Sequence, residues 1–120
     1  MLVVEDEAHV REVTARLLQR AGYEVATASD AESALGMLTS SGPFDLVLTD
    51  SAMPGMRGED LAAVIVRVQP GLPVILMSGY TDLERSPSAS ALAGYLQKPF
   101  AMSVLLAEVR RALARERPSE

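Results

Sequence analysis

Short unbroken apolar runs alternate along this chain with longer stretches in which apolar residues recur at helical spacing. Leu2-Val3-Val4, Leu46-Val47-Leu48 and Val74-Ile75-Leu76-Met77 are apolar throughout, the pattern of strands covered on both faces. Tyr23 to Ala26 and Tyr95-Leu96-Gln97 read as two further strands. A helix from about Ala8 to Arg20 places Val10, Val13 and Leu17 on one face, and Gly22 supplies its stop. Ser29 and Glu32 form a capping box for a second helix, with Ala31, Ala34, Leu35 and Leu38 on one side, broken by Ser40-Ser41-Gly42-Pro43. Leu61, Val64, Ile65 and Val68 mark a third helix that ends at Pro70-Gly71, and a last one from about Met102 to Arg115 turns Leu106, Val109 and Leu113 inward. The stretch 81–93 should also hold a helix, yet Ser86-Pro87-Ser88 sits in its middle. An interior proline costs about 3 kcal/mol, so a short, displaced or mobile helix is expected there. Residues 115–120 read as a solvated tail.

Strand followed by helix, five times over, implies one α/β domain spanning 1–120: a parallel sheet with helices on both faces, joined by right-handed crossovers. In such sheets ligands collect beyond the carboxyl ends of the strands. The first strand ends in Glu5 and Asp6, the third in Asp50, the fourth in Ser78 and the fifth in Lys98. With strand order 2-1-3-4-5, strands one and three are neighbours at the topological switch point, which gathers three carboxylates beside a hydroxyl and an ammonium.

Composition removes several alternatives. With no cysteine and one histidine, His9, thiolate chemistry and multi-histidine metal sites are excluded. A net charge of -5 argues against direct nucleic-acid binding through a basic patch. No apolar run is long enough to span a bilayer and no basic leader precedes one, so a cytoplasmic setting without membrane insertion is expected.

Clustered carboxylates raise one another's pKa unless a cation sits between them. Mg2+, or Mn2+ in its place, suits a site of hard oxygen ligands that leaves room for water and phosphate. A metal, a lysine and a hydroxyl around a carboxylate are what in-line phosphoryl transfer needs, and the carboxylate itself can be the nucleophile. Asp50, between the acidic pair on one side and Ser78 and Lys98 on the other, is the candidate.

Met1-Leu-Val-Val-Glu-Asp-Glu7, Asp50-Ser-Ala-Met-Pro-Gly-Met56, Met77-Ser78-Gly79 and Tyr95-Leu-Gln-Lys98-Pro99-Phe100 together resemble the receiver domain of bacterial two-component response regulators, across essentially the whole chain. The resemblance implies a flavodoxin-like (βα)5 fold with the 2-1-3-4-5 order. It implies that Asp50 is the phosphoacceptor in a phosphorelay, forming an aspartyl phosphate from a phosphohistidine. Glu5 and Asp6 become the metal-binding pair, Asp6 directly and Glu5 directly or through water, with the Ala52 carbonyl as a further ligand. Ser78 is then the hydroxyl that moves to the phosphoryl group, Lys98 the cation that pairs with it, and Tyr95 the aromatic that turns inward. Lys98-Pro99 resembles a bond that the family holds cis. The switched surface comprises the 81–93 helix, strand five and the last helix. The implied partner is a histidine kinase or a histidine phosphotransfer domain, with other domains of a longer chain and a homodimer as further associations. Ser-Gly-Tyr-Thr-Asp from 78 to 82, with the run ending at Phe100, resembles receivers attached to hybrid sensor kinases.

Each residue also has a plainer role. Asp6 or His9 could cap the first helix, Glu5 could be solvated, Ser78 could open a turn, and Tyr95 could only pack. Two other functions compete with phosphoacceptance. One is a receiver-like module that docks without phosphorylation; the intact acid, hydroxyl and lysine set argues against it. The other is a Mg2+-dependent aspartyl phosphohydrolase, which should carry a second Asp two positions on, where this chain has Ala52. A domain that accepts and slowly loses its own phosphoryl group, not a turnover enzyme, is the expectation.

Overall fold

The computed structural model describes residues 1–40, 42–53, 55–78 and 93–115. In chain order its elements are β1 (Leu2–Val4), α1 (Ala8–Arg20), β2 (Ala26–Ala28), α2 (Ala31–Ser40), β3 (Val47–Asp50), α3 (Gly58–Val68), β4 (Val74–Ser78), β5 (Gly94–Gln97) and α4 (Met102–Arg115). The five strands form one parallel sheet of order β2-β1-β3-β4-β5, as expected. The helix expected over 81–93 lies outside the described residues but for Ala93, and so does the tail beyond Arg115.

Alternation along the strands sorts the core into two layers. Leu2, Val4, Val47 and Val74 face α2 and α3, where Ala31, Ala34, Leu38, Leu61, Ala62 and Ile65 pack on them. Val3, Leu46, Leu48, Ile75, Met77 and Leu96 face the other way, against Leu18 of α1 and Leu105, Val109 and Ala112 of α4. Both faces of β3 and β4 are therefore sealed, and every residue of the two strands is buried. That is why they read as continuous apolar runs.

Several local expectations are corrected. The second strand is Ala26–Ala28, not Tyr23 to Ala26, because its neighbour β1 begins at Leu2 and pairs Leu2 with Ala26 and Val4 with Ala28. The cap of α2 is Asp30, whose Oδ1 accepts from the Ser33 amide at 2.7 Å, in place of a Ser29 box. This contact holds the Asp30 carboxyl below its ordinary pKa. On α1 the buried residues are Thr14, Ala15 and Leu18, with Leu17 packed partly against the same core as expected, while Val13 is 44% exposed. Likewise Ala62 is buried in α3 and Val68 is not, and α4 seats Leu105 and Ala112 more deeply than Leu106 and Leu113. Small residues let these helices approach the sheet, yet they add little to an apolar stripe.

Candidate functional site

Parallel pairing in register is what assembles the site. Val4 pairs with Thr49, so Glu5 and Asp50 leave adjacent strands side by side. Asp50 pairs with Met77, which sets Ser78 one step further along β4. Ser78 pairs with Gln97, and the Lys98 amide donates to the Ser78 carbonyl at 2.8 Å. Lys98-Pro99 is cis, matching the expectation.

The Lys98 ammonium lies 2.7 Å from Asp50 Oδ1 and 3.0 Å from Glu5 Oε1, bridging the two acids. Glu5 is buried and Asp50 is 5% exposed, whereas Asp6 is open to solvent. Oxygens of Glu5, Asp6 and Asp50 all lie within 4.8 Å of one another. Burial pushes the Glu5 carboxyl above its ordinary pKa, helped by the charge of Asp50 and opposed by the bond from Lys98. Asp50 is raised by burial too, with Asp6 adding and Lys98 opposing. For Lys98, burial disfavours the ammonium, but its bonds to Asp50 and Glu5 outweigh this and raise its pKa. One ammonium thus leaves the acids short of positive charge. Three hard oxygen donors, one of them reached from solvent, fit a small divalent cation that keeps part of its water shell.

The Ser78 side-chain oxygen is buried, with no hydrogen-bond partner among the described residues. A buried hydroxyl left unpaired is costly, so an acceptor arriving beside Asp50 would find a ready donor. Ala52 stands exposed on the loop two residues beyond Asp50. Tyr95 is half-buried on β5 opposite Leu76, outside the cluster of charged groups. The cap of α1 is Glu7, which accepts from the Val10 amide, so neither Asp6 nor His9 takes that role.

Two contributors escaped the sequence reading. Gly58 opens α3 against the end of β3: a side chain there would run into the Asp50 carbonyl oxygen and come within 2.9 Å of Leu76 Cδ1. Glycine after a turn was the available signal. Arg11 donates from Nη1 to the Glu5 carbonyl at 2.9 Å, a contact for which sequence spacing gives no signal.

A family model described as response regulator receiver domain matches residues 1–110. The chain belongs to that family. The DNA-binding transcriptional regulator NtrC of Rhizobium meliloti (strain 1021) is 38% identical, over 100% of this chain and 25% of its own length. The response regulator protein FleR of Pseudomonas aeruginosa is 39% identical, over 92% of this chain and 24% of its own. The chain thus spans about a quarter of the length of these relatives. Neither is a sensor kinase, so they lend no support to the likeness with kinase-attached receivers. A response regulator receiver domain protein from Clostridium thermocellum superimposes with a TM-score of 0.89 at 31% identity, covering 96% of this chain and 94% of that one. TrrA of Thermotoga maritima, solved in complex with Mg(2+)-BeF, has a TM-score of 0.86 at 35% identity, covering 92% and 96%. As a receiver domain, the chain works in two-component signal transduction.

Proposed function

We propose that this receiver domain accepts a phosphoryl group on Asp50 from a partner phosphohistidine and carries it as an aspartyl phosphate. The observation behind this is the convergence of Asp50, Glu5, Asp6 and Lys98, with Ser78 on the adjoining strand end and its hydroxyl without a partner among the described residues. An Asp50 carboxylate oxygen attacks phosphorus in line, the P–N bond to the donor imidazole breaks, and that nitrogen keeps the electron pair and is reprotonated. Glu5, Asp6, Asp50 and the Ala52 carbonyl would hold Mg2+, with Mn2+ as a substitute, and the ion would supply positive charge against the phosphoryl oxygens. Lys98 then pairs with a phosphoryl oxygen, and the Ser78 hydroxyl donates to another. Moving Ser78 frees space into which Tyr95 turns, biasing the surface of β5 and α4 between two states. The domain is a switch and not a turnover enzyme, since Ala52 offers no acid-base group.

The partner is a histidine kinase or a histidine phosphotransfer domain, which places the reaction in the cytoplasm where such donors act. An apolar groove of about 420 Å³ supports this reading: Val10, Val13, Leu17, Pro99 and Phe100 line it, and it opens beside Lys98. A donor helix lying there would bring its histidine to Asp50. Incubation with acetyl phosphate and Mg2+, followed by intact mass measurement, tests the reading. Wild type should gain one phosphoryl mass and Asp50→Asn none. A wild type that gains nothing would favour docking without phosphorylation, and steady turnover of a generic phosphoester would favour a hydrolase.

A further inference from the structure

The geometry points to Arg11 as a positioning residue for the metal-holding pair, acting through the Glu5–Asp6 peptide. The inference rests on the metal site proposed above. Arg11 is on α1, and its amide donates to the carbonyl of the cap residue Glu7 at 2.9 Å, closing the first turn of the helix. Its half-buried guanidinium donates to the Glu5 carbonyl at 2.9 Å. That carbonyl belongs to the peptide joining Glu5 to Asp6, the two acids expected to hold the ion from the β1 side.

The rest of the turn is fixed at other atoms. The Glu5 amide donates to the Ala28 carbonyl at 3.0 Å, and the Glu7 amide reaches Glu5 Oε2 at 3.3 Å. Lys98 holds the Glu5 carboxylate from the far side. Among the hydrogen bonds of the described residues, none but that of Arg11 restrains the tilt of the Glu5–Asp6 peptide through its carbonyl. That tilt sets where the exposed Asp6 carboxylate points. Arg11 also lines a surface cleft with Glu12, Arg16 and Gln19.

Two simpler roles make different forecasts, which is what renders the inference testable. A positive charge near a cation site repels the cation, so if charge were all that mattered, losing Arg11 would tighten Mg2+ binding. If Arg11 merely tied helix to sheet, its loss would lower thermal stability and leave Mg2+ affinity unchanged. A positioning role forecasts weaker binding despite the lost repulsion, by about tenfold, the low end for outer-shell partners of metal ligands.

The experiment titrates Mg2+ into metal-free wild type, Arg11→Gln and Arg16→Gln, following amide resonances by NMR, with thermal unfolding of the same samples without metal. Arg16→Gln removes the same charge from the same cleft without touching the Glu5–Asp6 peptide, and should bind Mg2+ as well as wild type or slightly better. Arg11→Gln should bind about tenfold more weakly. Unchanged or tighter binding in Arg11→Gln overturns the inference. Should that variant not fold, Arg11→Lys carries the test: weaker binding at constant charge supports a positioning role, and wild-type affinity overturns it. A wild type that binds no Mg2+ sinks the metal-site reading itself, a result separate from either outcome for Arg11.

Discussion

Replacing Lys98 with methionine asks whether its ammonium is what makes two buried acids tolerable. Methionine keeps most of the apolar stem beside the groove and removes the charge that sits 2.7 Å from Asp50 and 3.0 Å from Glu5. Removing one partner of a buried ion pair costs about 3–5 kcal/mol, because the remaining charge is left without compensation. The Lys98 side chain is 27% exposed, so water can partly replace it, and about 2 kcal/mol is expected at pH 7 without metal. With a urea m value of about 2 kcal/mol/M, the unfolding midpoint should fall by about 1 M.

The sign of the pH dependence follows from the carboxyls. Burial already raises the pKa of Glu5 and Asp50, and losing Lys98 removes the contact that opposes this. In the folded variant both acids therefore hold protons more tightly than in the unfolded chain. The variant gains stability relative to wild type as pH falls from 7 toward 5, and the difference between them shrinks. The raised Lys98 pKa affects wild type only above the ordinary lysine range, outside this window. Saturating Mg2+ should also narrow the gap, since it restores positive charge among the same oxygens. Equal midpoints at pH 7 without metal, or a deficit that neither acid nor Mg2+ relieves, would refute the reasoning.

Three further outcomes are expected. Ser78→Ala removes a buried hydroxyl that has no hydrogen-bond partner among the described residues, and should leave urea stability unchanged or raise it by up to about 1 kcal/mol; wild type should show amide shift changes at β5 and α4 on phosphorylation, and the variant should not. Gly58→Ala drives a methyl group toward backbone atoms that cannot step aside, so a loss of at least about 2 kcal/mol in urea is expected, with the Asp50 peptide displaced in the amide spectrum. Ala52 has no side chain with which to orient water, so the aspartyl phosphate of the isolated domain should persist for minutes or longer; loss within seconds, followed by mass spectrometry, would contradict this.

The strands buried on both faces were readable from residue type alone, because β1, β3 and β4 have no polar face to interrupt their apolar runs. Their polar ends followed, so Glu5, Asp6, Asp50, Ser78 and Lys98 could be assigned to one edge before any geometry was known. Features set by neighbours were less readable. The start of β2 depends on the register of β1, and Asp30 and Ser29 are rival caps one residue apart. Thr14, Ala15, Ala62 and Ala112 face the core because they are small, a property that a count of apolar positions underweights. Glu59, which the sequence did not single out, is a further neighbour-set feature: it is buried at the head of α3 with Arg57 on one oxygen at 3.2 Å.

The pairing of β1 with β3 has a consequence for signal fidelity. Residues far apart in sequence become neighbours only when those two strands are zipped together, Val4 against Thr49. A copy in which that seam is open keeps Asp50 but lacks Glu5 and Lys98 beside it, so on the reading proposed above its aspartate would be a poor phosphoacceptor. Signalling through this domain would then depend on the completed β1–β3 seam as well as on the aspartate itself.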